Sequence, residues 1–129
     1  MPDATAERVR PKFLTLTEIR LPLPGFVSIL HRLSGAGLFL CLPFVLYLFD
    51  LSLESEASFR SFQALVSGTF VKLVLFGLMW AFLHHFCAGI RFLLLDVHKG
   101  VDLPRARRSA GAVLVVSLVL TLFAGVWLW

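Results

Sequence analysis

Charge is missing from three long stretches of this chain. Asp, Glu, Lys and Arg are absent from Leu33 to Phe49, from Leu73 to Ile90 and from Ser109 to Trp129. Only 16% of the 129 residues are charged and 58% are hydrophobic, whereas a soluble domain has about a quarter charged. The mean hydropathy is +0.86. These gaps point away from a water-soluble domain. A helix that crosses a bilayer needs about 20 mostly apolar residues, with about 17 as the lower limit. All three stretches meet that length once their ends extend past the flanking charges. They predict an all-α membrane protein with three transmembrane helices, over about 24–51, 69–97 and 104–128. Residues 1–129 then form a single membrane-anchor domain.

Cysteine is also scarce. Cys41 and Cys87 are the only two, both fall within predicted spans, and neither has the close Cys spacing of a zinc site. Neither a disulfide nor a cysteine metal site is expected, and both residues should pack as small apolar groups. The first twenty residues lack an apolar core and instead carry Arg8, Arg10, Lys12 and Arg20. No cleavable signal peptide is therefore expected, and residues 1–23 read as a retained polar cytoplasmic tail. Internal repeats and low-complexity linkers are absent. The net charge of +4 comes from residues that flank spans, as membrane topology alone requires, so no nucleic-acid partner is expected.

Lysine and arginine set the orientation. Arg8, Arg10, Lys12, Arg20 and Arg32 precede or open the first span, and only Arg60 and Lys72 lie between the first and second. Arg91, Lys99, Arg105, Arg107 and Arg108 lie between the second and third, and none follows. The N-terminus and the second loop are expected in the cytoplasm, with the C-terminus on the far side. Tyr47, Trp127 and Trp129 suit an interfacial aromatic belt there.

Pro22 and Pro24 break any preceding helix. Pro24 suits the first turn of the first span, and Pro43 is expected to bend it. Residues 52–67 read as a far-side loop, with Phe59, Phe62 and Leu65 placed to lie along the interface. Gly100 and Pro104 punctuate the loop before the third span. Three spans make a thin domain, too thin to enclose a large cofactor alone, so a partner is expected.

The ionisable residues inside the spans are the candidates for function. His84 and His85 sit side by side in the second span. A charged group near the bilayer centre costs on the order of a few kcal/mol, and even a neutral imidazole needs a partner. Imidazole is also the usual protein ligand of haem iron. Steps of four residues place Gly77, Ala81, His85 and Gly89 on one helix face. That column of small residues either lets a neighbouring helix approach closely or leaves a recess for a flat macrocycle. His84 follows Trp80 and lacks the recess, so His85 is the better ligand candidate. The bland alternative is an imidazole hydrogen-bonded to another helix.

Ser28, His31 and Arg32 form a second group on one face of the first span, continued by Gly35. A hydroxyl, an imidazole and a guanidinium there suit a quinone carbonyl or a haem propionate, since Arg offers a planar fork of donors. Alternatively, Arg32 simply snorkels to the headgroups. Depth links the two groups. His85 is six residues before Arg91 and lies roughly 9 Å inside the same boundary, at 1.5 Å per residue. In a third cluster, Arg91, Asp96, His98 and Lys99, the last two read as solvated interfacial charge. Arg91 and Asp96 are close enough for a water-linked pair.

The run Ser28-Ile-Leu-His31-Arg32-Leu-Ser34-Gly35 resembles a signature of the cytochrome b subunit of succinate dehydrogenase. The segment from His85 through Gly89-Ile-Arg91 to Asp96 resembles that family's second signature. Arg10-Pro11-Lys12-Phe13-Leu14 is similar to its N-terminal Arg-Pro element. The resemblance covers nearly the whole chain. It implies a membrane-anchor subunit of succinate:ubiquinone oxidoreductase, respiratory complex II of the tricarboxylic acid cycle. The expected setting is the bacterial inner membrane. The chain would be half of a heterodimeric helical bundle enclosing haem b.

The resemblance further implies that His85 is an axial ligand of the haem iron. A second small membrane subunit would supply the other ligand. Ser28 and Arg32 would line the ubiquinone site, and His31 and Arg32 would lie at the haem. Iron–sulfur and flavoprotein subunits would dock on the cytoplasmic face. The dicarboxylate chemistry would belong to them, since no such site is visible here. The family's second signature usually continues with His, where this chain has Phe92, and His84 is an additional departure. A quinol:fumarate reductase anchor, another small b-type cytochrome, and a haem-free structural or transport subunit are the rival expectations.

Overall fold

A computed structural model of the protein describes residues 20–128. The Arg10–Leu14 element and most of the expected N-terminal tail lie outside that range. Four helices follow one another: α1 (Leu23–Leu53), α2 (Glu56–Ser67), α3 (Thr69–Asp96) and α4 (Leu103–Leu128). Three of them, α1, α3 and α4, are long and apolar enough to cross a membrane.

Local chemistry explains where the helices begin. Pro22 is extended, its carbonyl accepts from the backbone N–H groups of Gly25 and Phe26, and Pro24 occupies the first turn of α1. A proline there forgoes an N–H that would have no helical acceptor anyway. The helix runs without interruption through Pro43. Between α3 and α4 the chain reverses through two left-handed residues, His98 (φ 58°) and Gly100 (φ 75°). Asp102 then caps α4: its carbonyl accepts from Ala106 N–H and its carboxylate from Arg105 N–H.

The segment expected as a far-side loop over 52–67 is largely helical. Ser55 and Ser58 form a reciprocal capping box, with the Ser55 hydroxyl accepting from Ser58 N–H and the Ser58 hydroxyl accepting from Ser55 N–H. Arg60 and Glu56 pair one turn apart at 2.6 Å. Phe59 and Phe62 stack at 5.8 Å. This polar, short helix lacks the charge-free run by which the other three are recognised.

In the described residues, α3 lies against both α1 and α4. Its contact with α4 is close because the facing residues are small. Ala110, Val113, Ser117, Thr121 and Gly125 form the buried face of α4, and the Phe76 ring lies where a Cβ on Gly125 would sit at 2.6 Å. Small residues at such spacing let membrane helices approach closely. Ser117 and Thr121 donate to carbonyls of their own helix, Leu114 and Ser117, so their hydroxyls are satisfied without a partner on α3. The apolar core is small: Val27, Ala88, Ala110 and Val113, flanked by Cys87, Phe92 and Leu114. Most large apolar side chains face outward, as a lipid-facing surface requires.

Candidate functional site

The site forms where α1 crosses α3. His85 is the α3 residue at the crossing, and the α1 segment from His31 to Gly35 faces it. Gly35 makes the approach possible. A Cβ at that position would lie 2.7 Å from His85 Cε1 and 3.2 Å from Nδ1, so the imidazole occupies the volume a side chain would take.

Hydrogen bonds then orient the ring. His85 Nδ1 is 3.0 Å from the His31 carbonyl oxygen and 3.3 Å from Ser34 Oγ. The Ser34 hydroxyl itself donates to the same carbonyl at 2.9 Å. A carbonyl only accepts, so Nδ1 of the neutral ring carries the proton, and Nε2 keeps its lone pair. Nε2 has no hydrogen-bond partner among the described residues. The His31 ring stacks on His85 with centroids 4.1 Å apart and planes within 10°. Phe92 tilts against the His31 ring, with centroids 5.1 Å apart and planes at 54°.

His84 is placed quite differently. Its side chain is completely buried, and neither ring nitrogen has a hydrogen-bond partner among the described residues. Its ring lies 5.3 Å from Trp80, whose Nε1 is likewise buried and unpaired. Its nitrogens therefore point into this chain's own interior.

Ser28 and Arg32 are brought together, with Arg32 Nη2 donating to Ser28 Oγ at 3.3 Å. Arg32 is exposed and Ser28 half-buried. The face expected to hold Ser28, His31 and Arg32 thus divides: His31 turns to α3, while Ser28 and Arg32 look outward. The small-residue column on α3 divides as well. Gly89 lies near the His31 ring, but a Cβ on Gly77 would meet nothing within 4 Å. Close helix approach accounts for the glycine on α1 rather than for Gly77.

Arg91 departs from its expected water-linked pairing with Asp96. It turns to α4, where Nε donates to Ser109 Oγ at 3.0 Å and Nη2 to the Ala106 carbonyl at 3.4 Å. Sequence inspection missed this contact and the bond from Ser34 to His85's acceptor. The signal for Ser34 was present, since a Ser-Gly pair follows His31 by one turn and Ser hydroxyls often bond carbonyls one turn back. Among the described residues no three metal-ligating side chains gather.

The family of succinate dehydrogenase/fumarate reductase transmembrane subunits matches residues 7–124. The chain is 40% identical over 121 residues to the succinate dehydrogenase cytochrome b556 subunit of Coxiella burnetii (strain RSA 493 / Nine Mile phase I), covering 93% of this chain and 97% of that one. It is 30% identical over 111 residues to the cytochrome b556 subunit of Paracoccus denitrificans, covering 86% and 85%. Similarity extends to the mitochondrial succinate dehydrogenase cytochrome b560 subunit of Sus scrofa, 33% over 125 residues, covering 92% and 69%.

Proposed function

The chain belongs to the family of succinate dehydrogenase/fumarate reductase transmembrane subunits, and we propose that it anchors a succinate:ubiquinone oxidoreductase in the bacterial inner membrane, holds haem b through His85 and forms part of the quinone-reduction site. The observation that carries this reading is the pinned His85 ring. Its Nδ1–H is engaged by the His31 carbonyl, which leaves Nε2 as the only ring nitrogen with a free lone pair. Metal-bound histidines almost always donate their other N–H to a fixed acceptor, which sets the tautomer and raises ligand basicity. His84 is fully enclosed within this chain, with neither ring nitrogen open to a cofactor.

Haem, when bound, supplies a one-electron redox centre whose potential follows its ligation and burial. The remaining work belongs to this chain's side chains. Gly35 leaves room for the His85 ring, and Ser34 and the His31 carbonyl hold its angle. Among the described residues His31 stacks flat against His85, and His84 is enclosed. A second small membrane subunit would supply a further ligand to the haem. Arg32 offers guanidinium donors at the outer face of α1, and Ser28 receives one of them. A quinone carbonyl placed there would take charge-assisted hydrogen bonds, and fixed donors stabilise negative charge developing on its oxygens. Iron–sulfur and flavoprotein subunits on the cytoplasmic face would deliver the electrons.

One panel of variants in the assembled complex tests this. His85→Ala should abolish the reduced-minus-oxidised b-type absorbance, and His84→Leu should retain it. Ser28→Ala and Arg32→Leu should lower quinone reduction while succinate oxidation by an artificial acceptor continues. Full haem in His85→Ala would remove the ligand assignment, and unchanged quinone kinetics would remove Ser28 and Arg32 from the quinone site. Faster turnover in the fumarate-reducing direction would favour the reverse enzyme.

A further inference from the structure

Arg91 is 5% exposed and has no carboxylate within ion-pair distance among the described residues. Its two hydrogen bonds go to neutral oxygens of Ser109 and Ala106. Nη1 bonds to none of the described residues. A buried charge without a counter-charge is costly, and buried cations are normally paired. An anion from outside the described residues would offset that cost.

Two cavities meet at this guanidinium. One, of about 280 Å³, runs along the α3–α4 groove and is lined by apolar Ile90, Leu94, Ala112 and Val116, with Arg91 and Ser109 at one end. The other, also about 280 Å³, opens toward the α3–α4 turn and is lined by Lys99, Gly100 and Arg105 together with Arg91, Leu94 and Ser109. Leu94, Arg91 and Ser109 belong to both. The polar cavity gathers three cations, Arg91, Lys99 and Arg105. Asp102 offsets part of this charge, pairing with Arg105 at 3.4 Å. Lys99 is in no ion pair among the described residues.

We propose that the α3–α4 groove binds an anionic phospholipid. Its phosphate sits among Arg91, Lys99 and Arg105, and an acyl chain follows the groove past Leu94, Ala112 and Val116. A cationic cavity and an apolar groove that share Arg91, Leu94 and Ser109, at the end of two membrane-spanning helices, match the two halves of such a lipid. A free phosphate would use only the first half. Basic pockets between transmembrane helices bind acidic lipid headgroups on this principle, with each Lys or Arg contributing appreciably near the surface. The site is independent of the haem assignment, because His85 faces α1 and Arg91 faces α4.

The test uses the intact complex extracted in mild detergent, with bound lipid counted by native mass spectrometry. Wild type should keep at least one phosphatidylglycerol through detergent exchange and should gain thermal stability from phosphatidylglycerol but not from phosphatidylcholine. Lys99→Gln should weaken retention about fivefold, and Lys99→Gln with Arg105→Gln should weaken it further. Both substituted residues are exposed, so the variants should assemble with unchanged haem absorbance. Equal retention of the zwitterionic lipid would overturn the proposal. Equal protection by inorganic phosphate would reduce the site to a free-anion site. Unchanged retention in both variants would mean that another group, such as a partner subunit's carboxylate, neutralises Arg91, and would also overturn it.

Discussion

A Cβ on Gly35 would come within 2.7 Å of His85 Cε1, whereas one on Gly37 would meet nothing within 4 Å. Two glycines on one helix, two residues apart, therefore make opposite predictions. Gly35→Ala should push the imidazole off the His31 carbonyl, at an overpacking cost of about 1–3 kcal/mol. The complex should assemble with a lower melting temperature and a shifted haem absorbance or potential. Gly37→Ala should leave both unchanged or slightly raise stability, because alanine is the better helix former. Identical spectra for the two variants would show that Gly35 does not position the ring. The spacing of Gly77, Ala81 and Gly89 favoured His85 over His84 in the sequence, although the glycine that accommodates the His85 ring, Gly35, is on the other helix. The motif around His31 was legible as a motif. That Ser34 and the His31 carbonyl would grip His85 was not, since those bonds span 51 and 54 residues of sequence and exist only once α1 and α3 cross. Arg91 escaped for the same reason: its acceptors are on α4.

At the scale of elements, legibility followed hydropathy. The three long helices announce themselves by runs without charge, and the bilayer, rather than a packed core, is what selects such runs. Helix α2 has no such run. It rests on the Ser55–Ser58 capping box, the Glu56–Arg60 pair and the Phe59–Phe62 stack, local features that are weak individually. A cap contributes about 1 kcal/mol and an exposed i,i+4 ion pair only a few tenths. Ser55→Ala should therefore fray the first turn of α2 without disturbing the spans. Amide exchange across residues 56–60 should accelerate about fivefold, as about 1 kcal/mol implies, while exchange in α1 and α3 stays as in wild type. Unchanged exchange at 56–60 would mean that packing against α1 and α3, rather than the cap, holds the helix.

The three long helices pack against one another pairwise, with apolar side chains that mostly face outward, so lipid or partner subunits must cover them. Which end faces the cytoplasm depends on charge. Lys and Arg number five from residue 8 to 32, two from 60 to 72, five from 91 to 108 and none beyond, and cationic flanks stay on the cytoplasmic side. The α1 start and the α3–α4 turn are at one end, with α2 at the other. Cysteine labelling can decide the orientation once Cys41 and Cys87 are replaced by alanine. Ser58→Cys in α2 should react with an impermeant maleimide in intact spheroplasts. Arg107→Cys, at the start of α4, should react only in inverted vesicles stripped of soluble subunits. That substitution leaves four cations against two, enough to preserve the bias. The reverse labelling pattern would place Arg32, Lys99 and Arg105 on the outer face. An iron–sulfur subunit docked in the cytoplasm would then be about 30 Å of hydrocarbon away from the Ser28–Arg32 pair, and the proposed quinone site could not receive electrons from it.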